Sequence, residues 1–121
     1  SMLSSYGIRT LSTRAQGFWP LSYHGGSVWS HDTAITLFGM YRAGLHSHAR
    51  QVRERLVAAA RHFNYRVPEL HAGDEVDKAL RGAAGALPYP AACRPQAWSA
   101  AAAVVCWKSV VEENRAQGLE D

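Results

Sequence analysis

Only two cysteines, Cys93 and Cys106, occur among the 121 residues. That rules out a disulfide-stapled scaffold of the secreted type. Helical chain between them, rising about 1.5 Å per residue, holds the two sulfurs too far apart to bond. Reduced thiols and a cytoplasmic protein are the expectation. Long apolar runs are also missing. The longest, Ala100 to Trp107, is far too short to span a bilayer, and no signal peptide is visible. Membrane binding is not expected. A dense basic patch is lacking as well. The net charge is +3, and the arginines are scattered from Arg9 to Arg115. Arg50, Arg53 and Arg55 sit close together but are broken by Glu54, which reads as a solvated helix face. Without a basic patch interleaved with stacking aromatics, nucleic acid is not an expected partner.

Six histidines are present, at 24, 31, 46, 48, 62 and 71. None forms a helical pair at ligand spacing. His46 and His48 are two apart and diverge on a helix. His24 and His31 share a loop and could converge. No carboxylate or cysteine stands at a recognised spacing from them, so no metal and no cofactor is expected. Cys106 lies inside an apolar run, where a buried thiol is inert. Cys93 has no evident histidine partner.

What is present is globular composition, with 47% hydrophobic and 19% charged residues. Residues 3–30 carry glycine and proline breaks and read as loop. Ser30 caps a first helix, with Asp32 in its first turn. Ala34, Phe38, Tyr41 and Leu45 recur along it at helical spacing, and Gly44 is a plausible stop. A second helix runs from about Ser47 to Phe63, with an amphipathic stripe through Val52, Leu56, Ala59, Ala60 and Phe63. Residues 64–95 hold four of the five prolines, a stretch of about 30 residues that is long for a structureless connection. A helical turn is expected from Asp74 to Leu80, with Asp74, Glu75 and Asp77 as surface charge. A third helix starts at Pro95, continues to about Gln117 and stops at Gly118. Its first half is apolar on every side, which predicts burial all round.

The loops are crowded with aromatics: Phe18, Trp19, Tyr23, Trp29, Tyr65 and Tyr89, with Trp98 at the third helix start. Each alone reads as core. Together, in loops rich in glycine and proline and near Glu69, Arg94 and Gln96, they favour a carbohydrate pocket. Sugar rings pack apolar faces on aromatics while their hydroxyls take polar partners. Pro68-Glu69 alone reads as a helix start.

Three blocks carry a resemblance. SYHGGSVWSHDTA (22–34), FNYRVPELHAG (63–73) and LPYPAACRPQAWSAAA (87–102) are similar, in order and spacing, to blocks of bacterial amylo-α-1,6-glucosidases and glycogen-debranching-type proteins. The resemblance covers about Tyr6 to Trp107. It departs at Gly25, where the family has a larger, often basic residue, and at Ser30, where it has proline. The family implies an (α/α)6 barrel of about twelve helices, of which this chain would supply three or four from the C-terminal end. The resulting expectation is an all-α fold of helical hairpins with long Gly/Pro-rich loops, residues 1–121 being one fragment of a larger catalytic domain, with Ser1-Met2 a cloning remnant.

By the same resemblance, Glu69 is the general base of an inverting α-glucosidase. Trp29, His31, Asp32, Gln96 and Trp98 bind substrate, and the general acid lies in an earlier loop outside the segment. The implied partners are a glucan or oligosaccharide and the remainder of the barrel. The segment alone is expected to be inactive, and its bare helix faces to pair with a second copy or to repack as a helix bundle. The rival expectation is a non-catalytic helical module that binds carbohydrate, in which Glu69 only starts a helix.

Overall fold

The computed structural model describes residues 2–74 and 85–119. Strand β1 (Leu3–Ser4) turns into β2 (Gly7–Ile8). Strand β3 (Val28–Trp29) runs directly into helix α1 (Ser30–Arg42), followed by helix α2 (His46–His62). Strand β4 (Leu70–His71) and helix α3 (Ala97–Ala116) complete the order. The expected turn from Asp74 to Leu80, with Glu75 and Asp77, falls outside the described residues apart from Asp74 itself.

The architecture is mixed, which corrects the all-α expectation. Two small antiparallel ribbons accompany three helices among the described residues. In the first, Leu3 pairs with Ile8; in the second, Val28 pairs with His71 and Trp29 with Leu70. Single bridges from Arg9 to Val28 and from His71 to Pro88 join four stretches side by side. Two-residue strands are too short to show any alternation, so no sequence period could announce them.

Helix α1 is the hub. It packs along both α2 and α3, while those two barely meet. Ala34 and Leu37 of α1, Ala49, Val52 and Leu56 of α2 and Ala102 of α3 form the main core. The expected α1 stripe holds in part, Ala34 being buried and Tyr41 half-buried against the core. Phe38 and Leu45 are exposed, and Thr33, Ala34 and Leu37 face inward. An α1 sequence with apolar residues on several faces does not say which face meets the core; its partners decide. On α2 the expected stripe is buried at Val52, Leu56, Ala59 and Phe63, while Ala60 is only half-buried.

Two capping expectations are corrected. Ser30 does not cap α1: it is the first helical residue, Trp29 precedes it in extended geometry, and no side chain caps the helix. The Ser30 hydroxyl instead donates to the Pro68 carbonyl at 2.9 Å. Pro95 is not in α3, which opens after an extended Gln96. At the other end Gly118, with φ of 67°, does stop the helix, and the Leu119 amide reaches back to the Asn114 carbonyl. Burial all round α3 is also corrected. Only Ser99, Ala102, Cys106 and Ser109 are buried, while Trp98, Val104 and Trp107 are exposed.

The α2 arginines are not merely solvated. Arg50 and Arg53 both hold Glu113 of α3, the latter at 2.9 Å, and Arg55 donates to the Ser4 carbonyl. Burial alone would raise the Glu113 carboxyl; the hydrogen bonds from Arg53 and Arg50 outweigh it and hold the group below the usual carboxylate range.

Two glycines are required where the loops meet. A side chain at Gly73 would strike the Gly26 carbonyl oxygen, 1.8 Å from its first carbon. Gly26 itself has φ of 145°, with the Phe18 ring 2.7 Å from where a Cβ would stand. This contact seats the 17–26 loop against the strand carrying Leu70 and His71. No helix among the described residues is long and apolar enough to cross a membrane.

Candidate functional site

The site grows from the β3–α1 junction. Trp29 is buried there, and its indole Nε1 donates to the Tyr23 carbonyl at 2.7 Å. That bond folds the Tyr23–Gly26 turn back over the tryptophan. The Tyr23 ring meets Trp29 edge-on at 4.7 Å, and His24 stacks flat on Trp29 at 5.2 Å. On the other flank, His31 touches Trp29 edge-on at 5.7 Å and stacks on Trp98 at 4.9 Å, the planes within 9°. His24, Trp29, His31 and Trp98 thus form a continuous cluster of four rings, two stacked pairs set nearly perpendicular to each other. Trp98 is 61% exposed, so much of its surface is open to a ligand.

Glu69 is linked to this cluster through Tyr23. The Tyr23 hydroxyl donates to its Oε1 at 3.4 Å. Its backbone is clamped on both sides. The Glu69 amide donates to the Cys93 carbonyl at 2.9 Å, and its carbonyl accepts from the Ser30 amide at the start of α1 at 3.2 Å. The Tyr23 hydroxyl is pushed above the usual tyrosine value, first by desolvation and then by the adjacent Glu69 carboxylate. It therefore stays protonated at neutral pH and able to donate. Tyr89 closes the far side, its ring 6.0 Å from that of Tyr23. A hollow of about 340 Å³, lined by Phe63, Pro68, Pro88, Tyr89 and Arg94 among others, opens next to it.

Four of the six residues singled out from sequence come together here: Glu69, Trp29, His31 and Trp98. Gln96 does not face Glu69. Its side-chain oxygen accepts from the Ser99 hydroxyl at 2.7 Å, which ties it to its own helix start. Asp32 is exposed in the first turn of α1, where its charge suits the helix dipole. Tyr23 and Tyr89 were legible only as loop aromatics, and His24 only as one of the loop histidines. Their signal was the Tyr-His pair before two glycines, a spacing that lets a turn fold over the following tryptophan.

The histidines part company at Trp29. His24 lies on one of its faces and His31 at its edge, so they do not converge on a common point. Among the described residues no three metal-binding side chains gather. The Nδ1 atom of His31 is buried and has no hydrogen-bond partner among the described residues.

Both cysteines are free thiols, Cys93 exposed and Cys106 buried. Burial pushes the Cys106 thiol up to about 11, against a smaller opposing pull from Arg53. An aromatic disulfide reagent is therefore expected to titrate one thiol of the native protein within minutes and the second only after unfolding. Two fast thiols would show that the α2–α3 seam opens readily.

Comparison with known proteins gave no matching family model and no matching curated protein.

Proposed function

We propose that this chain is the C-terminal segment of a debranching-type α-glucosidase, which hydrolyses α-linked glucose with inversion, and that Glu69 is its general base. The observation that carries the reading is the placement of Glu69. Its carboxylate is on a backbone clamped from both sides and accepts from Tyr23, whose ring packs on Trp29. A glucose unit lying on Trp98 would present its ring face to the side of the indole that His31 leaves open. Glu69 would take a proton from water as the water oxygen bonds to the anomeric carbon. The glycosidic oxygen would leave with a proton from a second carboxyl about 6.5–9.5 Å away. By the resemblance that acid, with the rest of an (α/α)6 barrel, is supplied outside this segment. The chemistry needs no metal or cofactor, and free thiols suit a cytoplasmic enzyme.

The exposed Trp98 ring favours a second reading, a module that binds glucan without cleaving it. One substitution separates the two. In an enzyme that carries this segment within a complete barrel, Glu69→Gln is expected to lower kcat about a thousandfold with maltooligosaccharide binding kept. Unchanged turnover would leave only the binding module. The 121 residues alone should release no glucose, and robust release by them would overturn the proposal.

A further inference from the structure

Helix α3 buries one face and leaves a second apolar face bare. Ala100, Ala103, Val104, Trp107 and Val110 recur at three- and four-residue spacing and are all exposed, Trp107 by 67%. At 100° per residue this stripe is turned about a third of a circle from the buried one, and it points nearly opposite to Trp98. The candidate sugar site therefore does not account for it. Beside the stripe, α2 and α3 diverge around a hollow of about 480 Å³, lined by Val57 of α2 and by Trp107 and Val110 of α3. Glu54 and Arg61 also line it, two turns apart on α2, and neither makes an ion pair with another described residue.

We infer that this face docks a second copy of the same chain about a two-fold axis, with α3 antiparallel to its mate and each Trp107 seated in the other copy's groove. The charges single out that occupant. A two-fold contact sets each residue of the patch against the same patch reversed. Glu54 at one end of the apolar middle and Arg61 at the other then match themselves, Glu54 of each copy meeting Arg61 of the other, while Arg53 beside Glu54 is already held by Glu113. Ala100 and Ala103 are small enough to let the two helices approach closely. The size is also adequate. A standard interface takes about 800 Å² from each partner, about a ninth of the 7343 Å² this chain exposes. The 20 residues of α3 extend about 30 Å and, with the α2 edge, offer a strip of that order. The inference does not rest on Glu69, and it concerns the 121-residue chain by itself, in which no further barrel helix competes for this face.

Light scattering coupled to gel filtration tests it on the whole 121-residue chain. At about 100 μM, well above a micromolar Kd, the expected mass is twice 13.3 kDa. Trp107→Ser should give the single mass with an unchanged circular dichroism spectrum. Glu54→Arg and Arg61→Glu should each weaken the dimer about tenfold, and the two together should restore it to within about threefold. Both charged residues are exposed, so these variants decide the matter even if Trp107→Ser fails to fold. A monomer at the highest concentration would overturn the inference. So would a dimer indifferent to the single charge reversals, or one that the double reversal does not rescue.

Discussion

Arg9→Met is expected to lower the melting temperature by roughly 10 °C or more, through a stability loss of about 3 kcal/mol. Arg9 is 2% exposed, yet it is a full cation. Its Nε donates to the Gly73 carbonyl, its Nη1 donates to the Leu3 carbonyl at 3.0 Å, and the guanidinium lies over the Phe18 ring at 6.0 Å. Three stretches that share no helix are joined by one side chain. Methionine keeps the stem and much of the packing but removes every donor. The carbonyls of Leu3 and Gly73 would then be unpaired in the interior, and each such loss costs on the order of 1–3 kcal/mol. Lysine, with a charge but no planar fork, should recover only part of the difference. Thermal melts of wild type, Arg9→Lys and Arg9→Met at one pH give the comparison. Equal melting temperatures for wild type and Arg9→Met would show that Arg9 does not hold the loops together.

Acid should weaken the fold well before its carboxylates are all protonated. His71 is fully buried, between the edge of the Tyr6 ring and the Phe63 ring. Its Nδ1 lies 3.0 Å from the Ala72 carbonyl and donates to it as N–H, while Nε2 has no partner among the described residues. Burial pushes the imidazole down to about 4 from the ordinary 6.5, against a small upward pull from the Ala72 carbonyl. Above pH 6.5 the ring is neutral both folded and unfolded, and the shift costs nothing. Between about 6.5 and 4 the unfolded chain binds a proton that the folded chain refuses, so stability falls as the pH falls. The full shift corresponds to about 3 kcal/mol, reached near pH 4 and constant below. Urea midpoints at pH 7 and pH 4.5 measure it, with His71→Phe as the variant that should flatten the slope. A wild-type midpoint that did not move across that window, or an equal slope in His71→Phe, would remove His71 as the cause.

The helices were legible to within a residue or two because each carries a stop or a periodic stripe over three turns or more. The orientation of α1 and α3 was not. Both are apolar on more than one face, and the choice between Phe38 and Leu37, or between Trp107 and Cys106, is made by which neighbour is present. The short strands were invisible because pairing such as Val28 with His71 depends on loops closing at a distance. At the site, Glu69, Trp29, His31 and Trp98 were named from their blocks, and the structure sets them in one cluster. Gln96 shares a block with Trp98 but bonds to Ser99, since residues two apart at a helix start point in different directions. Tyr23, which steadies the carboxylate, could be picked out only once the Trp29 indole was seen to hold its carbonyl.

The bridges from Arg9 to Val28, from Val28 to His71 and from His71 to Pro88 draw on stretches spread over most of the chain. The neighbourhood of Glu69 is consequently indivisible. No short peptide cut from around Pro68 contains it, because the turn of Tyr23, the start of α1 and the loop of Cys93 each supply a wall. The entropy of closing those loops is met once, by the whole chain, and the carboxylate's address exists only after it has been met.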